Sequence, residues 1–260
     1  MTAYTNRRLP DVKGRKAYVL GGAMYGACVS LMASAGYKAA KSVEEADIVV
    51  FVGGADVDPS LYGEEVLSGT SFNTERDATE EAVYKKCVEL GTPMFGICRG
   101  AQFLHVMNGG KLWQHVDNHA GKPHLIVDTN TGETVEASSL HHQMICSDPA
   151  TSPALEILAV TNDQIATIFR SEDLFLDLTK SGGNSTVEIE IEAGSYLKTK
   201  CFFVQGHPEI GCPEYRAWTM NNLEDFLLSL EKKPKTKLKK PKTEEMKVMV
   251  SKINKTKGAS

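Results

Sequence analysis

Along the first hundred residues, short apolar runs closed by glycine alternate with longer stretches whose apolar positions recur at helical spacing. Residues 17–20 form one such run, ended by Gly21 and Gly22, which read as an ordinary strand-to-helix turn; a helix is expected over 24–35, where Gly36 stops it. Residues 47–52 are rich in β-branched side chains and precede Gly53 and Gly54. An unbroken apolar run of that length suits a strand buried on both faces, as in a parallel sheet. Thr74 offers an N-cap, and Glu75 and Asp77 in the first turn favour the helix dipole. Ala78, Ala82, Val83, Cys87 and Leu90 then keep a helical stripe up to Gly91. A strand is expected over 93–97 and a helix over 100–107. This alternation predicts a doubly wound α/β domain, whose ligands sit at the carboxyl ends of the strands. The second half is richer in strands, expected at 156–160, 165–169, 187–191 and 201–204. Residues 213–230 read as a closing helix that packs through Trp218, Leu223, Phe226 and Leu227.

Composition narrows this picture in two ways. The chain has 260 residues, 42% of them hydrophobic and 24% charged, the balance of a soluble globular protein. The N-terminus has two arginines without an apolar stretch behind them, and the longest clear aliphatic and aromatic run, 48–52, is far short of a membrane span. A cytoplasmic protein that does not enter a membrane is expected. The six cysteines show no CxxC pair, so free thiols are expected. The charge is uneven. Residues 231–260 hold eleven lysines against three glutamates, a balance of +8, which leaves −12 on the rest of a chain whose net charge is −4. We therefore expect a catalytic domain over 1–230 and a disordered lysine-rich tail over 231–260, able to dock an acidic protein or nucleic acid.

The candidate chemistry begins at Cys98. The strand PMFGI runs straight into it and RGAQFLHVM continues as a helix, so Cys98 stands at a strand-to-helix turn in a G-x-C-x-G pattern. Such an elbow throws its side chain out at the end of the sheet, and glycines on both sides let strand and helix approach. The helix N-terminus favours the thiolate, and the Arg99 N–H points at an oxyanion forming on the attacked carbonyl. The competing reading is a structural cysteine beside a glycine-bounded strand, the reading we give to Cys28, Cys87, Cys146, Cys201 and Cys212. A base is found in KCFFVQGHPE, where an apolar strand delivers His207 and Pro208 fixes the backbone before Glu209. A carboxylate two residues from an imidazole can orient it and stabilise its charged form.

GICRGAQ followed by HPE about 110 residues later resembles the class I glutamine amidotransferases. The finer match is to their gamma-glutamyl-gamma-aminobutyrate hydrolase-like branch. It rests on GGADVDPSLYGE (53–64), TERDATE (74–80), GGKLWQHV (109–116) and SSLHHQ (138–143). The resemblance covers roughly residues 45–210. It implies a flavodoxin-like sheet, mostly parallel, and a glutamyl thioester on Cys98. It also implies His207 as acid and base, Glu209 as its orienter, and Gly54 or its neighbour Gly53 as the second oxyanion donor beside Arg99. Gln102, His141, His142 and Gln143 would line the substrate pocket, the alternative for the last three being a polar surface loop. Ser138 stands where the family usually has asparagine, 116–138 is short for the branch and 171–198 looks like an insertion, so the leaving group is left open.

His115, His119 and His124 are spaced like metal ligands, but with no cysteine or acidic partner beside them they read as part of a variable loop. The chemistry requires no metal and no cofactor. Two functions remain. One is a freestanding hydrolase of glutamine or a γ-glutamyl amine. The other is a glutaminase subunit that passes ammonia to a synthetase or nucleotide-modifying partner. A silent binding module fits less well with an intact Cys–His–Glu set.

Overall fold

The computed structural model of the chain describes residues 12, 14–148, 150, 152–172, 174–179 and 189–231. The apolar run after Asp47 becomes β3 (Ile48–Phe51), buried along its whole length as its two-faced apolar pattern requires. Parallel pairing joins it to β1 (Lys16–Val19) on one side and β4 (Met94–Ile97) on the other. Beyond these lie β2 (Lys38–Ala39) against β1 and β14 (Cys201–Val204) against β4, also parallel. The resulting order β2-β1-β3-β4-β14 is the flavodoxin-like arrangement.

From β14 the sheet continues through β13 (Ile191–Tyr196), β10 (Glu156–Thr161), β7 (His124–Asp128) and β8 (Thr134–Ala137), each pairing antiparallel. Only β13 and β7 are reversed by this alternation, so seven of the nine strands still run one way. The fold is thus a flavodoxin-like α/β sheet, mostly parallel, with a strand-rich second half.

Both faces are covered. Alternate residues of β3 point to opposite sides: Ile48 and Val50 join the layer of α1 (Tyr25–Ser34) and α4 (Pro213–Glu231), where Leu31, Trp218, Leu223, Phe226 and Leu227 pack. Val49 and Phe51 join the layer of α2 (Thr74–Leu90) and α3 (Arg99–Met107), with Tyr84, Phe103 and Leu104. The cap of α2 is Asn73 rather than Thr74: its side chain accepts the Arg76 N–H at 3.0 Å, and Gly91 closes the helix with φ 67°.

Several strands lie where the periodicity does not place them. The strand expected over 165–169 is β11 (Ile168–Arg170), in a small sheet with β12 (Phe175–Asp177) and β6 (His115–Val116). The one expected over 187–191 begins only at Ile191, and residues 187 and 188 lie outside the described ones, as do 232–260 of the tail. β7 and β8 were not anticipated: their short mixed segments, HLIVD and TVEA, become strands by pairing with each other and with β10. A two-stranded sheet of β5 (Leu112–Trp113) and β9 (Met144–Ile145) completes the fold. Among the described residues, no helix is long and apolar enough to cross a membrane.

Candidate active site

Because β3, β4 and β14 are parallel neighbours, their carboxyl ends deliver Gly53–Gly54, Cys98 and His207 to one edge of the sheet. The elbow at Cys98 is sharp, with φ 53° and ψ −110°, a backbone that non-glycine residues rarely adopt. The flanking glycines are required sterically. A Cβ on Gly96 would stand 2.6 Å from the Gly100 carbonyl oxygen, and one on Gly100 would run into the Phe51 carbonyl. The Cys98 N–H is tied to the Val204 carbonyl at 2.9 Å, and its carbonyl accepts the Gln102 N–H. The Arg99 N–H, at the first position of α3, has no acceptor within the helix.

His207 follows β14, and its Nδ1 lies 2.6 Å from Glu209 Oε1, which leaves Nε2 for the thiol. Its backbone is clamped by Ser138, which the sequence marked only as a departure from the family's asparagine: the hydroxyl accepts the His207 N–H at 2.9 Å and donates to the His207 carbonyl at 3.0 Å. Gly53 allows the ring to approach, since a Cβ there would stand 3.0 Å from His207 Cε1 and 3.7 Å from Cys98 Cβ. Burial would lower the imidazole's pKa, but hydrogen bonds and charge from Cys98 and Glu209 outweigh burial and hold it up at about 10. The histidine is therefore an imidazolium at neutral pH, facing the cysteine sulfur.

The Arg99 side chain is buried against α2, ion-paired to Asp77 and Glu80, with its guanidinium 4.8 Å from the centre of the Phe103 ring. Arg76 bonds Glu80 at 2.8 Å and donates to the carbonyls of Val52 and Gly53 at 2.7 and 3.1 Å. The TERDATE segment thus braces both the elbow and the glycine turn beside it.

Gly54, Cys98, Arg99, Gln102, His141, His142 and Gln143 line a single cavity of about 220 Å³. Gln102 donates its side-chain amide to the Gln143 carbonyl at 3.0 Å, so it holds the histidine loop as well as facing the cavity. Burial keeps His141 neutral, its pKa down at about 3. His142 is half-buried and raised by its 3.1 Å contact with Asp56, a residue that sequence reasoning did not single out. Cys28, Cys87 and Cys201 lie in the core, where burial pushes the thiols up to about 12, 12 and 11. His115 is exposed, whereas His119 and His124 are buried, so the variable-loop reading fails for these two.

The pattern of the peptidase C26 family matches residues 16–176. A glutamine amidotransferase-like protein of Lactococcus lactis subsp. lactis is 36% identical over 38% of this chain and 50% of its own length. The carbamoyl phosphate synthase small chain of Brucella ovis is 42% identical over 22% of this chain and 14% of its own. The chain therefore spans half or less of the length of these curated relatives. A chain in the structure of PurLQS from Thermotoga maritima shares the fold, with a TM-score of 0.54, 13% identity, and coverage of 83% of this chain and all of that one. With well over half of its residues matched and Cys98 among them, this glutamine amidotransferase-like chain belongs to the peptidase C26 family.

Proposed function

We propose that the chain is a cytoplasmic amidohydrolase of the gamma-glutamyl-gamma-aminobutyrate hydrolase-like branch. It cleaves glutamine or a γ-glutamyl amine through a thioester on Cys98, within a catalytic unit formed by residues 1–230. The observation that carries this reading is the Cys98 elbow facing a charged His207 whose Nδ1 is held by Glu209 at 2.6 Å. The thiolate attacks the γ-carbonyl, and the oxyanion is received by the N–H groups of Arg99 and Gly54. His207 gives its proton to the departing nitrogen as the C–N bond breaks, leaving the glutamyl thioester. It then takes a proton from water, whose oxygen displaces the sulfur, so glutamate leaves and the thiolate–imidazolium pair returns. Gln102 and the histidine loop supply the polar wall that holds the glutamyl part.

The test is intact-mass analysis after treatment with a glutamine-like electrophile, run beside an amide-release assay. One adduct is expected on the wild type and none on Cys98→Ala, with hydrolysis lost by several orders of magnitude while the far-ultraviolet spectrum is unchanged. An adduct that persists in Cys98→Ala would refute the assignment. The basic balance of residues 231–260 favours a second reading, a glutaminase subunit docked on an acidic synthetase or nucleotide-modifying partner. Assays with and without candidate partners separate the two, since a subunit gains activity on docking and a freestanding hydrolase does not.

A further inference from the structure

Behind the candidate cavity lies a second polar cluster, which shares only His141 with the cavity wall. It gathers His119 from the loop after β6, His124 from β7, His141 from the loop between β8 and β9, Glu190 from just before β13 and Glu192 from within it. All five are buried, His119 and Glu192 completely. Glu190 and Glu192 are two residues apart, so one face of the extended chain carries both carboxylates into the interior.

Hydrogen bonding fixes the tautomers. His119 Nε2 lies 2.8 Å from Glu190 Oε2, so this nitrogen carries the proton. Its Nδ1 is left 3.8 Å from Glu192 Oε1 and 3.4 Å from the Ser139 hydroxyl, whose own proton goes to the His119 carbonyl. His141 Nδ1 stands 2.9 Å from the Gln143 carbonyl, which can only accept, so Nε2 is a bare lone pair. That Nε2 is buried without a partner, and so is Glu192 Oε2. Lone pairs of two histidines and a carboxylate thus face one another in the interior, two of the atoms without a protein partner. Buried lone pairs without a donor are unfavourable, and a cation between them would satisfy all three.

We propose that His119, His141 and Glu192 bind a divalent transition-metal ion of the zinc class, ligated through His119 Nδ1, His141 Nε2 and the Glu192 carboxylate. The three ligand atoms lie within 4.8 Å of one another. Bonds of about 2.0–2.1 Å in a tetrahedral site set neighbouring ligands about 3.4 Å apart, so the ion draws the loop in by about 1 Å. The surroundings are those that metal-binding histidines require, since each gives its other N–H to a carboxylate or a main-chain carbonyl. Glu192 Oε1 is likewise held, by His124 Nε2 at 3.0 Å. The ion ties β13 to the loop that lines the catalytic cavity, and the site stands whether or not Cys98 performs the proposed hydrolysis.

The test uses the full-length chain carrying Cys98→Ala, so that the cavity-lining thiol cannot compete for the metal. After stripping with a chelator it is dialysed against zinc, and against cobalt(II) as a spectroscopic reporter. One zinc per chain is expected, with a tetrahedral cobalt spectrum and a raised melting temperature. Glu192→Gln and His119→Gln should each weaken binding by about 100-fold or more, the second while keeping a donor for Glu190. His115→Gln, at an exposed position, should bind as the parent does. A stripped chain that takes up no zinc, or variants that bind it as tightly as the parent, would overturn the site and leave a shared proton as the occupant.

Discussion

The positive-φ backbone of Cys98 costs on the order of 1–3 kcal/mol, and it persists because the Val204 carbonyl and the first turn of α3 hold both sides of the residue. It places the sulfur beside His207, and in the proposed mechanism the charge on that imidazole decides reactivity. His207→Ala should lose nearly as much activity as removal of the thiol. Glu209→Gln should leave measurable turnover, because in the proposed mechanism the carboxylate orients and stabilises the imidazolium without carrying the proton. Equal losses in single-turnover acylation would reverse these roles. The charge also carries stability. The folded His207 value of about 10 lies above the ordinary 6.5, so its contribution is complete below pH 6.5 and is lost as pH rises through about 10. The gap in urea midpoint between wild type and His207→Gln should therefore narrow from about pH 7 to about pH 10.5, and a widening gap would contradict the assignment.

The elbow also depends on α2, none of whose residues lines the candidate cavity. α2 and α3 are joined by the ion pairs of Arg99 with Asp77 and Glu80, and Arg76 extends the bracing to the carbonyls at the end of β3. These charges are buried, and removing one partner strands the others in a low-dielectric interior. Glu80→Gln should cost about 3–5 kcal/mol in denaturant unfolding, with activity falling as the elbow loosens. The exposed pair between Lys85 and Glu81 on the same helix is the control, and Glu81→Ala should cost less than about 1 kcal/mol. A small loss for Glu80→Gln would show that packing of Phe103 and Phe51, rather than charge, holds the elbow in place. None of these partnerships was evident in sequence. Asp77 and Glu80 stand where any helix start welcomes acidic residues, and Arg99 is 22 and 19 positions away from them.

At the scale of the molecule, the +8 balance of 231–260 opposes −12 on the remaining residues. No residue of the candidate triad lies in that segment. Deleting 231–260 should leave hydrolysis of a small γ-glutamyl substrate unchanged and weaken retention on DNA or an acidic protein, with the difference vanishing at high salt. A truncated chain inactive on the small substrate would move the domain boundary.

The sequence by itself determined whatever depends on contiguous residues. A strand, a glycine, a cysteine and a helix in immediate succession can only make a sharp turn, and His-Pro-Glu brings its own carboxylate to the imidazole. The parallel half of the sheet was legible for the same reason, since unbroken apolar runs such as Ile48–Phe51 have only one way to be buried. Tertiary structure decided what depends on pairs remote in the chain. Ser138 meets His207 across 69 positions, and β7 and β8 become strands through partners their own short segments do not announce. A strand that alternates glutamate with apolar residues ordinarily turns its acidic face to water. Here Glu190 and Glu192 turn inward to His119, His124 and His141, because only the folded sheet brings three histidines from separate segments to cover that face.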